Sequence, residues 1–265
     1  MKIVEIRSAI LAIAVAGLVA VAPPAFAQVV PGSLAYGLSG MVASAGSAAR
    51  ISAVAAVGAT SQKAFSRHSS VPLFSESLGI VSSGNLIGSL AVVTSGIATH
   101  VSSNGIASTT VQTEADTAIA SLSITLSLVP PTDATQPPAA PLLSLTATGI
   151  TAQVTDTQSL PLTTQQTGTA SFGSLTLSGS MVGSQTLTFQ GAAPANTVLY
   201  DDPNMTVTLN QQDVTGVIEC TPTCQFVPQK MTADAILVEM YRKTFVGKKV
   251  VTGNVYVAQD EATLQ

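Results

Sequence analysis

The feature that most constrains the fold is a strict two-residue alternation of apolar and hydroxyl-bearing side chains. In residues 121–128 every second residue is leucine or isoleucine, and serine or threonine fills the positions between them. Successive side chains of a β-strand point to opposite faces, so this pattern is typical of a strand with one buried face. The same alternation recurs at residues 175–178, 186–189 and 205–210.

Apolar runs punctuated by glycine and proline extend the strand pattern along the rest of the chain. The further predicted strands are residues 33–39, 86–93, 105–112, 143–154, 214–220, 232–240 and 250–258. We therefore predict an all-β fold, an antiparallel β-sandwich of long Ser/Thr-rich strands. The alternative is a β-solenoid, in which strands would stack as rungs at a fixed spacing instead of pairing with hairpin neighbours.

The first 27 residues have the composition of a helical, cleaved signal peptide. Lys2 and Arg7 give a positive start, and residues 10–21 form an apolar run that is short for a membrane span. The alternative is that these residues form an uncleaved membrane anchor or a buried helix.

A cleavage site follows the apolar run. Ala25 and Ala27 place small residues where a signal peptidase requires them, so the mature chain would begin at Gln28. We expect a secreted protein, extracellular or at the cell surface, with the periplasm as an alternative. We expect no transmembrane segment in the mature chain.

The rest of the chain divides by composition. Residues 28–70 are rich in alanine, glycine and serine, and we expect them to be part strand and part irregular. Residues 71–265 are predicted to form a single β domain. Within it, the proline-rich residues 130–141 exclude a helix or a central strand, so we expect a long loop at a hairpin tip.

Charge and aromatic content narrow the range of partners. The chain carries 10 basic and 14 acidic residues, a net charge of −4, which argues against nucleic acid as a partner because phosphates require clustered cations. Charged residues make up only 9 % of the chain, which suits a protein that buries its surfaces in an envelope, fibre or lattice. Tryptophan is absent and there are only four tyrosines, so few aromatic rings are present on which a sugar could stack, which argues against a glycan-binding site.

The two cysteines, Cys220 and Cys224, are predicted to form a disulfide that closes a short proline-containing loop. A metal site would need more soft ligands than the sequence places nearby. A redox-active pair has two intervening residues instead of three. The disulfide is therefore read as structural.

No catalytic motif accompanies either histidine. His68 and His100 are the only candidates for a general base, and each is interpreted as an exposed polar residue. A hydrolase would require one of them to meet an acid and a serine in a cleft. We therefore predict a protein without enzymatic activity and without a cofactor.

Two polar clusters remain as candidate binding sites. Asp201, Asp202 and Asn204 are a weak candidate for Ca²⁺, but Asp-Pro-Asn is also good turn chemistry, which we favour. The basic residues near the end of the chain could bind an anionic glycan or a lipid headgroup, or form a charged hairpin tip that discourages edge pairing. They are Arg242, Lys243, Lys248 and Lys249.

Several segments resemble the choice-of-anchor P family of exported bacterial surface proteins. The most specific is residues 194–197 leading into 207–211; the others are residues 35–40, 118–128, 145–150 and 233–238. The resemblance implies export, an all-β body, display at the envelope and no established enzyme activity. Residues 257–265 depart from the family pattern because they contain no sorting motif or apolar span, so we expect non-covalent retention or release.

These observations lead to three functional hypotheses. The first is a secreted bacterial surface or extracellular-matrix protein with a structural, interaction or adhesion role, which self-assembles through strand edges. Its partners would be further copies of itself or envelope polymers. The alternative is a binding module for an envelope glycan or polymer. The third hypothesis is a secreted hydrolase.

Overall fold

The structure, a computed structural model, confirms the all-β prediction. It describes residues 30–44, 47–82, 85–106, 110–128, 141–159, 163–183, 185–220, 224–243 and 249–264. The predicted signal peptide, its cleavage site at Gln28 and residues 130–140 of the proline-rich segment lie outside these ranges. No helix in the described ranges is long and apolar enough to cross a membrane.

The described residues form thirteen strands, and several are much longer than the alternating runs that predicted them. The strands are β1 (Pro31–Ser44), β2 (Ser47–Val54), β3 (Val57–Thr60), β4 (Phe65–Ser82), β5 (Asn85–Ser103), β6 (Thr110–Leu128), β7 (Leu143–Ser159), β8 (Thr163–Ser178), β9 (Leu187–Ala193), β10 (Thr197–Asp201), β11 (Met205–Cys220), β12 (Cys224–Lys243) and β13 (Lys249–Leu264). The alternation holds in β6, where Leu122 and Ile124 are buried and Ser121 and Ser123 are partly exposed.

The strands form two antiparallel sheets that face each other. Sheet B is a meander in chain order, β4-β5-β6-β7-β8-β9. Sheet A has the order β10-β11-β12-β13-β1-β2, with β3 also paired to β1. The chain starts in sheet A, builds the whole of sheet B, and returns so that β13 pairs with β1 from Pro31↔Leu264 to Val42↔Gly253. Hairpin neighbours predominate, as a sandwich requires and a solenoid does not.

The alanine- and glycine-rich N-terminal segment is an integral part of sheet A. The predicted strand at residues 33–39 lies within β1, which is flanked by β13 on one side and by β2 and β3 on the other. The predicted boundary between residues 70 and 71 falls inside β4. Composition therefore changes at this point while the strand continues.

Near the middle of their strands, both sheets contain a line of residues that the strand pairing passes over on both partners. In sheet B these residues include Gly96 and Gly149, with φ of +59° and +56°. In sheet A they include Asn210 and Ala258, with φ of +50° and +51°. Each skipped residue shifts which of its neighbours face inward, as a β-bulge does.

This line separates the main hydrophobic core from a part of the interior that mixes buried polar side chains with two smaller apolar clusters. On one side of it Ile124 of β6 and Leu145 of β7 are fully buried in the main hydrophobic core. On the other side the same strands bury Thr117 and Asp156. The β11–β12 pairing runs past the mixed part of the interior to Cys220↔Cys224, and the β12–β13 pairing runs past the main core to Lys243↔Lys249.

Candidate functional site

The β11–β12 pair extends past the body of sheet A. Strand β10 covers the outer edge of β11 only as far as Leu209, and β13 covers β12 only from Lys230 onwards. Among the strands that the structure describes, residues 216–220 and 224–228 therefore pair only with each other, and residues 213–215, which pair with residues 230–232, have no strand on their other side. We call residues 213–229 the disulfide hairpin.

The disulfide hairpin exposes apolar side chains. Ile218 and Phe226 are 72 % and 55 % exposed, and Val214 and Val217 are 43 % and 39 % exposed. The predicted disulfide between Cys220 and Cys224 is present, with an S–S distance of 2.08 Å at the end of the strand pairing. Isolated two-stranded hairpins are marginally stable in water, so a covalent link at the tip helps to hold this one in register.

A second hairpin projects from the opposite end of sheet A. Beyond Met240, β12 pairs with β13 through Tyr241↔Val251 and the next two residue pairs, where β11 and β1 no longer flank them. Val250 and Val251 are 43 % and 48 % exposed. We call residues 241–251 the basic hairpin.

The basic hairpin contains the predicted anionic-ligand patch, of which Lys249 is the described side chain; the side chains of Arg242 and Lys243 and the whole of Lys248 lie outside the described parts. The Nζ of Lys249 lies 3.1 Å from Asp201 Oδ1 and 3.0 Å from the Asp202 carbonyl oxygen. It also lies 4.9 Å from the centre of the Tyr241 ring. The Lys249 ammonium group is therefore held by contacts within its own chain, and these contacts are exposed to solvent.

The Asp201–Asn204 segment is a turn, as favoured above. Asp202 Oδ1 accepts the backbone N–H groups of Asn204 and Met205 at 2.7 and 2.6 Å. Hydrogen bonds from Thr206 and Lys249 lower the pKa of Asp201. Protein donors thus occupy oxygens that a cation would need. Within the described ranges no three His, Cys, Asp or Glu side chains are grouped to hold a metal.

The two histidines are direct cross-strand partners, His68 on β4 and His100 on β5. His100 Nδ1 lies 2.8 Å from Asp116 Oδ2, and its Nε2 lies 2.9 Å from Ser66 Oγ. This is the connectivity of a Ser-His-Asp triad. The sequence did not reveal it because Ser66 and Asp116 come from strands whose register is set only by folding.

The surroundings of this trio differ from those of a catalytic triad. The side chains of His100 and Asp116 are 37 % and 40 % exposed, so water screens the attraction that would orient the imidazole. A cavity of about 310 Å³ lies alongside, lined by Ser102, Ser103, Asn104, Gln112 and Glu114. Its backbone N–H groups at Asn104, Gly105 and Gln112 already donate within the protein. They are not free to bind an oxyanion.

Three buried aspartates were not predicted. Burial raises the pKa of Asp156 to about 6, partly offset by a hydrogen bond from Gln166. Burial raises the pKa of Asp234 to about 7, partly offset by Gln259. Asp260 is fully buried, and its pKa is raised well above its usual value although Thr117 donates to it. Their sequence contexts are ordinary strand segments, which gave no signal of burial.

Three of the four tyrosines lie on the outer face of sheet A. Tyr256 sits between the buried residues Val255 and Val257, so its ring faces outward, and Tyr36 has the same relation to its buried neighbours. The hydroxyl of Tyr241 donates to Glu239 on that face. These three tyrosine rings thus share one surface of the protein.

Comparison with known proteins identifies no relative. No protein family matches the chain, and neither the curated proteins nor the solved structures contain a significant match. The class of protein is therefore defined by the fold alone, a two-sheet antiparallel β protein. The resemblance to the choice-of-anchor P family stays a prediction.

Proposed function

We propose that this is an exported, non-enzymatic structural protein that self-assembles through its disulfide hairpin. The observation that carries the proposal is the pair of strands that leaves the sandwich with unpaired edges and exposed apolar side chains. Exposed apolar surface combined with free strand edges favours pairing with another chain.

Export is supported by the predicted signal peptide together with the disulfide. Disulfides persist in oxidising compartments and are rare in the cytosol. The linked Cys220 and Cys224 fit the compartment that residues 1–27 predict. An extracellular surface or matrix suits a chain in which only 9 % of residues are charged.

The test is the association state of the mature chain, beginning at Gln28 and produced with its disulfide intact. Sedimentation velocity and electron microscopy should show concentration-dependent oligomers or fibres. Replacing Ile218 and Phe226 together by threonine removes the apolar contact, keeps a strand-forming residue at both positions, and should give a monomer.

The matched control is Leu73→Thr, which changes a side chain that is 65 % exposed on β4, outside the hairpin. It should assemble like the unmodified chain. Circular dichroism should show the same β content in all three proteins. A mature chain that stays monomeric up to millimolar concentration would contradict the proposal.

A second candidate is hydrolysis of an ester at Ser66, favoured by the distances within the Ser66, His100 and Asp116 trio. Ser66 Oγ would add to the carbonyl carbon while His100 Nε2 takes its proton and returns it to the leaving alkoxide, and water would then release the acyl group. A fluorophosphonate probe distinguishes the two functions. Labelling that disappears in Ser66→Ala would establish an enzyme; equal signals from both proteins would exclude this site.

A further inference from the structure

A row of paired polar side chains crosses four strands on the outer face of sheet A. The row consists of Gln211 on β11, Asp234 on β12, Gln259 on β13 and Tyr36 on β1, each paired with the next. Ala233, the residue before Asp234, packs in a buried cluster with Val154 of sheet B, so Asp234 points away from the interior. Directly paired residues share a face, and the whole row therefore lies on the outer surface.

Tyr36 and Tyr256 are diagonal neighbours on this face. Tyr256 lies in the next outward row, opposite Ser39, because the β1–β13 pairing passes over Gly37 and Ala258. Diagonal neighbours on a sheet are within reach of each other when the side chains are aromatic. Both tyrosines are partly exposed. We call Tyr36 and Tyr256 the tyrosine pair.

Asp234 brings a hydrogen-bond acceptor to the tyrosine pair. It is 5 % exposed, Gln259 donates to it, and its Oδ1 has no hydrogen-bond partner among the described residues. Burial and the negative charge of Asp234 both raise the pKa of Tyr256, which places the carboxyl group beside that ring. An unpaired buried acceptor is costly, and a hydroxyl group donated by a ligand would satisfy it.

We propose that the outer face of sheet A binds a neutral β-glucan, whose sugar rings stack on the tyrosine pair. The equatorial hydroxyls of β-linked glucose leave two apolar ring faces, which pack on aromatic rings, and place hydrogen-bond donors around the rim. The sequence contains only four tyrosines, but a stacking site depends on how two of them are placed. This binding function is additional to self-assembly and does not use the disulfide hairpin.

The charges on this face select a neutral polymer over an anionic one. Three carboxylates point outward in the two rows and the rows that flank them: Asp234, Glu239 and Glu261. Lys230 offsets one of these charges, since its Nζ lies 2.7 Å from Glu261 Oε2. Arg50 is exposed on β2, at the edge of the sheet. Like charges brought together at an interface are unfavourable, so a polymer of uronic acids is disfavoured.

The small apolar area of this face suits a sugar better than a protein. The large apolar side chains that are most exposed among the described residues lie elsewhere, on the disulfide hairpin and at positions such as Leu73 and Val198. The exposed apolar surface in the two rows is therefore confined to the tyrosine pair, with the amides of Gln211 and Gln259 around it. A protein interface usually has a larger apolar core.

The test is native electrophoresis of the mature chain in gels that contain either hydroxyethyl cellulose or carboxymethyl cellulose. The two polymers share a β-glucan backbone, and only the second is anionic. Hydroxyethyl cellulose should slow the migration of the protein, and the dissociation constant for carboxymethyl cellulose should be several-fold higher. Absence of retardation by hydroxyethyl cellulose would overturn the proposal, and equal or tighter binding of carboxymethyl cellulose would overturn the choice of a neutral polymer.

Substitutions locate the site. Tyr36→Ala and Tyr256→Ala should each weaken binding by about fivefold or more, whereas phenylalanine at either position keeps the ring and should keep most of the affinity. Tyr241→Ala is the matched control, because the Lys249 ammonium lies 4.9 Å from the centre of the Tyr241 ring and covers it. The thermal midpoint verifies folding. An equal loss of affinity in Tyr241→Ala would show that the tyrosine pair is not the site.

The double variant Ile218→Thr/Phe226→Thr separates this function from self-assembly. It should still be retarded by hydroxyethyl cellulose, since neither row includes these residues, and loss of retardation would contradict a site on the outer face of sheet A. An unmodified chain that is monomeric but retarded would refute the proposed self-assembly and leave the glucan site standing. A chain that assembles without being retarded would do the reverse.

Discussion

Replacing Asp156 by asparagine should stabilise the protein at neutral pH. Asp156 is fully buried on β7 opposite Gln166 of β8, whose Nε2 donates to its Oδ2 at 2.7 Å. The remaining oxygens of the pair, Asp156 Oδ1 and Gln166 Oε1, are both buried acceptors without a hydrogen-bond partner. A proton on Asp156 would supply the missing donor, which explains why the neutral acid is favoured.

The magnitude follows from the pKa. Folding raises the pKa of Asp156 from 3.8 to about 6, and each unit corresponds to about 1.4 kcal/mol. The folded state holds this proton more tightly than the unfolded state, so Asp156 does not lower the free energy of unfolding below pH 3.8. As the pH rises from 3.8 to about 6, the loss of unfolding free energy caused by Asp156 grows, and above that pH it stays at about 3 kcal/mol.

Asparagine mimics the neutral acid and does not titrate. The free energy of unfolding of Asp156→Asn should therefore match that of the unmodified chain at pH 3.5 and exceed it by about 3 kcal/mol at pH 7.5. Urea unfolding at six pH values across this range measures the difference. The control Asp213→Asn removes an equal charge from an exposed position. Parallel pH profiles for Asp156→Asn and the unmodified chain would refute the reasoning.

Three further outcomes follow from the same structure. Thr117→Val removes the 2.6 Å donor to the buried Asp260 and should cost roughly 1–3 kcal/mol in unfolding free energy, whereas Thr117→Ser, which keeps the hydroxyl, should cost less than half as much. Replacing Cys220 and Cys224 by serine should abolish assembly and speed amide exchange in residues 213–229, while exchange in β5 to β7 stays unchanged; global unfolding would contradict a role confined to the hairpin. If the outer face of sheet A binds a polysaccharide, the protein should cosediment with an insoluble neutral glucan. The double variant Tyr36→Ala/Tyr256→Ala should then bind the glucan with at least tenfold lower affinity. Equal binding by the variant and the unmodified chain would exclude these two rings as the binding site.

The strands were predictable because their signal is local. Alternation in residues 121–128 requires only that one face be buried, and β6 obeys it. The predicted strand at residues 105–112 was wrong at its start, since Gly105 has φ +73° and lies outside any strand, and β6 begins at Thr110. A glycine that takes a left-handed conformation is indistinguishable in sequence from one within a strand.

The site residues were only partly predictable because pairing register is not local. The Cys220–Cys224 disulfide follows from proximity in sequence, and the Asp201–Asn204 turn from turn chemistry. By contrast, the contacts of His100 with Ser66 and Asp116 depend on which residues of β4, β5 and β6 come opposite one another. The projection of the disulfide hairpin depends on where β10 and β13 stop.

The distribution of exposed edges strengthens the case that the disulfide hairpin is a contact surface. Natural sheets protect their edges with short strands and prolines, and three of the outer strands here, β3, β9 and β10, have only 4, 7 and 5 residues. The long outer strand β4 carries Pro72, which the pairing to β5 passes over. The body of the sandwich thus limits pairing at its sides, while the disulfide hairpin, in which Pro228 interrupts only one of the two strands, carries free edges and exposed apolar residues. Leu73 and Val198 are also exposed, but they lie on strands that are limited by Pro72 or by length, so the contrast between the strand edges favours a contact at the end of the β11–β12 pair.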